Sequence, residues 1–203
     1  MQVNLNSAPR KLAFAAVCVV AIGFYLTSIG RHYLAVRLAA QSKPRTLERA
    51  VNLERWNARW RWELGQYLLF VSQDQKAAIS SLEQAVVLNS HVARYWLDLA
   101  VGYEVSGNAQ RQRHALESAL QAEPTAPNVA WQAANFYLVG NDVARALPLL
   151  RVVMQNDPEH LNSALNLCWR ITQNAAVMLR KAVPAEPMPY FAFLKMLTTY
   201  RPG

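Results

Sequence analysis

Polar and apolar positions divide this chain into two unlike parts. Residues 12–29 read LAFAAVCVVAIGFYLTSI, 18 residues with no charge and only Thr27 and Ser28 as clearly polar side chains. As a helix this run spans roughly 27 Å at about 1.5 Å per residue, close to the hydrocarbon thickness of a bilayer. Arg10 and Lys11 bound one end, Arg31 and His32 the other, with Tyr25 and Tyr33 near the second end where amphipathic rings favour the interface. Helical pattern continues to Gln41, and Lys43–Pro44 breaks it. From there on, short amphipathic helices alternate with turn residues.

Those helices repeat. The phrases LERAVNLER, LEQAVVLNS, LESALQAEP and LRVVMQNDP begin at Leu47, Leu82, Leu116 and Leu150, in steps of 35, 34 and 34 residues. Each is preceded by another helical segment, most fully in Trp96, Leu99, Ala100 and Tyr103, followed by a turn at Gly107–Asn108 and then Leu116, Ala119 and Pro124. Leu64, Gly65, Ala77, Ala78 and Leu82 match in the copy before, with one extra loop residue. Ala133, Ala134, Tyr137, Asn141, Asp142, Ala146, Leu150 and Pro158 match in the copy after.

This spacing resembles the tetratricopeptide repeat (TPR), whose period and W-x2-L-G-x2-Y pattern it follows in degenerate form. The resemblance covers residues 46–172. It implies an all-α solenoid of antiparallel helix hairpins, here preceded by one transmembrane helix. Small residues such as Gly65, Ala100 and Ala134 then let paired helices approach, and Tyr103, Tyr137, Leu116 and Leu150 fill the space between hairpins. No hairpin buries its apolar face alone, so the stack is the folding unit.

The organisation expected is a short basic N-terminus (1–11), a transmembrane helix (12–29), a juxtamembrane helix and junction (30–45), the repeat array (46–172), and a degenerate repeat or C-terminal capping helix (173–203), with truncation of a longer protein left open. Residues 30–42 are expected to supply the first helix of the first hairpin. The last apolar helix, over residues 190–200, lacks a partner in this scheme, and Phe191, Phe193, Leu194 and Leu197 would form an adhesive patch if exposed.

Charge sharpens the division. The net charge is +8, but residues 1–49 hold seven bases against one acid, +6, and the rest hold 14 bases against 12 acids, +2. The excess therefore surrounds the apolar helix, and the near-neutral body makes a poor nucleic-acid footprint. A cleaved signal peptide is disfavoured because the apolar run is long and is followed by Gly30, Arg31, His32 and Tyr33 rather than a small-residue cleavage site. A plain count of flanking bases favours a cytoplasmic body, whereas a very short basic N-terminus resembles a bacterial signal anchor. The second reading is adopted: a single-pass protein of the bacterial plasma (inner) membrane, its array on the extracytoplasmic side.

The motifs of chemistry are absent. His32, His91, His114 and His160 pair with no other metal-ligating residue at ligand spacing, no Gly-rich phosphate loop exists, and no Ser lies in a nucleophile elbow. Cys168 reads as a small buried apolar residue. No enzyme activity, cofactor or metal is expected. In tetratricopeptide arrays the first helix of each hairpin lines the concave face. That geometry implies a protein-binding groove from Arg59, Trp62 and Gln66, then Arg94, Leu97 and Val101, then Asn128, Trp131 and Asn135, then Asn162, Leu165 and Trp169. Such an aromatic and amide surface suits an extended peptide or helix. With only Arg59 and Arg94 as cations, it is a poor clamp for a terminal carboxylate. The function expected is protein–protein interaction at the membrane surface. Two alternatives stand beside it: an accessory subunit of a cell-envelope export or polysaccharide machine, and the N-terminal part of a larger protein.

Overall fold

A computed structural model describes residues 8–199. Among the described residues there are eleven α-helices, one π-helical turn and no strand: α1 (Ala8–Ala39), α2 (Pro44–Leu53), α3 (Ala58–Tyr67), α4 (Gln75–Leu88), α5 (Ala93–Val105), α6 (Ala109–Ala122), α7 (Pro127–Val139), α8 (Val143–Asn156), α9 (Leu161–Thr172), α10 (Ala175–Lys181) and α11 (Pro187–Thr199). Neighbours in sequence pack as hairpins, α1 with α2, α3 with α4, α5 with α6 and α7 with α8, and each hairpin leans on the next.

The hairpin turns show how the period is kept. In α5/α6 and α7/α8 the backbone N–H groups of Asn108 and Asp142 donate to the carbonyls of Tyr103 and Tyr137, at 2.8 and 2.7 Å. One residue per turn takes the left-handed region, Gly107 at φ +72° and Asn141 at φ +57°. The side chains of Asn108 and Asp142 then cap the following helix, accepting from the N–H of Arg111 and Arg145 at 3.1 and 3.2 Å. Such a cap satisfies a donor that the first helical turn leaves without a partner.

Asp74 caps α4 in the same way, through the N–H of Ala77 at 3.1 Å. Its own N–H, however, reaches back six residues to the Leu68 carbonyl at 2.9 Å. The difference is the π-helical turn Leu68–Ser72, which absorbs one more residue than an α-turn. The extra loop residue read from the 35-residue step is thus a widened helical turn, with Gln73 left-handed at φ +57° behind it.

Packing follows the small residues. Gly65 is buried so deeply against α4 that a Cβ there would lie 2.6 Å from Leu82 Cγ. Between hairpins a polar latch recurs. The Tyr103 hydroxyl donates to Glu83 at 2.6 Å, and 34 residues on, the Tyr137 hydroxyl donates to Glu117 at 3.1 Å. Arg111 and Arg145 lie over the two rings, 5.7 and 5.4 Å from their centroids. Burial and the Glu83 carboxylate push the Tyr103 hydroxyl pKa up to about 12. Cys168 is fully buried, and burial pushes its thiol to about 12 as well, in keeping with a packing role.

The two ends differ from the middle. At the start, α1 runs unbroken from the apolar stretch into the array, and its last turns act as the first helix of the first hairpin. Ala35 and Ala39 pack there with Leu47, Ala50, Val51 and Trp60 as a small separate core. Residues Lys11–Ala39 of this helix are long and apolar enough to cross a membrane, and no residue of the apolar stretch 12–29 is buried. At the other end α11 folds back on α9. Phe193 (2% exposed) is buried there, Leu197 is half-buried, and Phe191 and Leu194 face out. The expected patch of four is therefore corrected to two exposed residues. A helix that docks on its neighbour must turn one face inward, and Phe193 lies on that face.

Candidate protein-binding groove

Along the face formed by the first helices, α1, α3 and α5 enclose a hollow of about 820 Å³. α1 contributes Val36 and Ala39, and Ala40 follows in the turn; α3 contributes Arg59, Trp62 and Gln66; α5 contributes Arg94; Phe70 and Val71 of the π turn close one side. The π turn matters here because it swings Phe70 and Val71 outward, both more than half exposed, beside the groove.

The floor is held by one carboxylate. Asp98 of α5 accepts from Trp62 Nε1 and from Gln66 Nε2, the latter at 3.0 Å. The Trp62 ring stacks on Tyr95 with centroids 5.4 Å apart and planes 30° from parallel. The Arg94 guanidinium lies over the same ring, 4.5 Å from its centroid. Burial raises the Asp98 pKa, and the bonds from Trp62 and Gln66 and the charge of Arg94 oppose that shift. Trp62 is thus fixed in orientation between a ring, a carboxylate and a cation. Arg59 is drawn toward Glu63, one turn on in α3, at 2.8 Å. What remains open is an apolar and amide-bearing wall with two cations at its edge. Such a surface takes up an apolar side chain and a few backbone hydrogen bonds of a polypeptide.

The residues expected to line a single groove are distributed more finely. Arg59, Trp62, Gln66 and Arg94 meet in the first hollow. Val101, Trp131 and Asn135 line a second one, of about 710 Å³, between α5, α6 and α7. Trp131 stands on its edge with its ring 6.0 Å from that of His160. Asn128 and Asn162 are exposed, and Trp169 is half-buried against the core. Leu97 and Leu165 do not face the groove: at 4 and 1% exposure they belong to the core. A helix packed on both its partner and the next hairpin has only a narrow open stripe, and one residue turns a side chain by about 100°. Tyr95, Asp98, Phe70 and Val71 were not singled out from sequence. The one available signal was Asp98, a lone acid inside the apolar stretch WLDLAVGY.

No protein-family model matches the chain, and no curated protein sequence matches it. Solved structures do. A structure of MamA superposes with a TM-score of 0.61 at 13% identity, over 87% of this chain and 97% of that one. YrrB, described as a TPR protein with an unusual peptide-binding site, superposes with a TM-score of 0.58 at 16% identity, over 90% and 93%. The chain has the tetratricopeptide-repeat fold. The array also superposes on the Cut9–Hcn1 hetero-tetramer of the APC/C, with a TM-score of 0.56 at 19% identity, over 71% of this chain and 29% of that one. At such identities the likeness is one of fold.

Proposed function

We propose that this protein is a membrane-anchored scaffold that holds a protein or peptide segment in the hollow between α1, α3 and α5. Residues 12–29 cross the bacterial plasma membrane, and the array stands on the extracytoplasmic side. The observation that carries the reading is the fixed Trp62, in contact with Tyr95 and Arg94 and tied to Asp98, in a hollow lined by exposed Phe70 and Val71. Preorganised aromatic anchors of this kind lower the entropy lost on binding. A peptide-binding site on another array of this fold, that of YrrB, makes the reading consistent with what the fold supports. The second hollow, at Val101, Trp131 and Asn135, extends the same face for a longer ligand. The protein acts by binding, without catalysis of its own.

A photo-crosslinking residue placed at Gln66 in membranes tests this against the same residue placed at Gln110, which is exposed at the start of α6. A discrete protein adduct at Gln66, reduced several-fold by Arg94→Ala with the fold intact, is the expected result. Equal adducts at both positions would remove the groove from the account.

A further inference from the structure

The turn between α2 and α3 is clamped to α1 by a polar network. The Arg31 guanidinium donates to the Leu53 carbonyl. Glu54 receives His32 Nδ1 at 2.9 Å, Asn57 Nδ2 at 2.9 Å and Trp60 Nε1. The turn so held does not bury its own aromatic residue. Trp56 is 87% exposed, whereas the other five tryptophans are buried or half-buried.

Its position along α1 is specific. Residues 52–57 share a hollow of about 780 Å³ with Phe24, Thr27, Ser28 and Arg31. Phe24 lies five residues inside the end of the apolar run at Ile29, about 7 Å of helix rise. If α1 spans a bilayer, the turn overhangs the outermost part of the apolar stretch, the depth at which headgroups meet acyl chains. The apolar surface continues from Trp56 to Val87 and Leu88 at the end of α4, with Arg55 and Arg61 beside it. Val87 is 83% exposed. The neighbouring acids are already engaged, Glu54 as above and Glu83 by Tyr103 and Arg111.

We propose that this edge is a bilayer contact: Trp56 and Val87 enter the headgroup layer, and Arg31, Arg55 and Arg61 meet anionic lipid phosphates. Tryptophan at the interface and arginine against anionic headgroups are the side chains that this environment favours. The contact rests on the reading of α1 as a membrane anchor. It adds that the array is held in one orientation, with the α2–α3 and α4–α5 turns toward the membrane and the hairpin turns at Asp74 and Asn108 away from it.

The test uses the full chain reconstituted in vesicles of phosphatidylcholine with or without phosphatidylglycerol, carrying bromine-labelled acyl chains that quench nearby indoles. Trp56→Phe is expected to abolish most of the quenchable emission. Arg55→Glu with Arg61→Glu is expected to remove the gain in quenching given by phosphatidylglycerol. Cys18, within the apolar run, reports insertion separately through a membrane-impermeant maleimide. If Cys18 is shielded and Trp56→Phe changes nothing, the bilayer contact is overturned while the anchor stands, and a protein occupant of this edge takes its place. If Cys18 is labelled, the anchor and the contact both fall.

Discussion

The middle of the array and its N-terminal end use different means to hold hairpins together. In the middle, one set of interactions is copied at the period: the caps at Asn108 and Asp142, the latches Tyr103–Glu83 and Tyr137–Glu117, and the arginines over both rings. At the N-terminal end the cap recurs at Asp74, but the contacts between hairpins differ from those of the middle. Arg31, His32, Glu54 and Trp60 form one network, Trp62, Gln66, Arg94 and Asp98 another, and a π turn replaces the regular hairpin turn. The repeated residues build the solenoid. Those that break the repeat shape the groove and join the array to α1.

The contrast is open to attack by mutation, and the largest effect is expected at Trp60. It is 2% exposed in the small core that joins α1, α2 and α3. Trp60→Ala should cost about 3–5 kcal/mol there, by analogy with buried aromatic truncations. Thermal unfolding followed by circular dichroism should then show an early phase from the N-terminal end, with the middle hairpins melting later. A single cooperative transition would mean that the two regions are not separable. Gly65→Ala comes next, since its methyl group would collide with Leu82, and a loss of about 1–3 kcal/mol is expected in denaturant titration.

The copied latches should behave alike. Tyr103→Phe and Tyr137→Phe each remove a hydrogen bond to a carboxylate, worth about 1–2 kcal/mol. Because the Tyr103 pKa is raised in the fold, its share of stability is present below pH 10 and is lost as pH rises toward 12. Wild type and Tyr103→Phe should therefore converge in stability over that interval. Unequal effects of the two substitutions would show that the latch is not a repeated unit.

Glu54 supplies the smallest effect and the opposite sign. Burial would raise its pKa, but the bonds from Trp60, Asn57 and His32 outweigh burial and lower it. Its contribution is thus present at neutral pH and fades as pH falls below the ordinary glutamate value of about 4.3. Amide exchange in α2 and α3 should quicken in acid before that in α6 to α8, and Glu54→Gln should reduce the difference.

Much of the fold was legible because Leu47, Leu82, Leu116 and Leu150 occupy the same packing position in successive hairpins. A repeated contact needs a repeated residue, so periodicity reports it directly. The groove was legible only at one end. Arg59, Trp62, Gln66 and Arg94 line one hollow, while Leu97 and Leu165 turn inward because helical register shifts a side chain's direction with every residue. Asp98 was missed because its partners Trp62 and Gln66 lie 36 and 32 residues away and belong to no shared pattern. Likewise the 35-residue step announced one extra residue but not that a π turn would display Phe70 and Val71. Unrepeated long-range contacts leave no periodic trace.

The central claim is that the apolar helix and the array form one continuous piece, with residues 30–39 serving both. Hydrogen–deuterium exchange of the full chain in lipid nanodiscs tests it most directly. The account predicts amides of residues 30–39 protected as strongly as those of α2 and α3, with protection lost in Trp60→Ala. Rapid exchange across residues 30–39 while α5 to α8 stay protected would reveal a hinge there and contradict it.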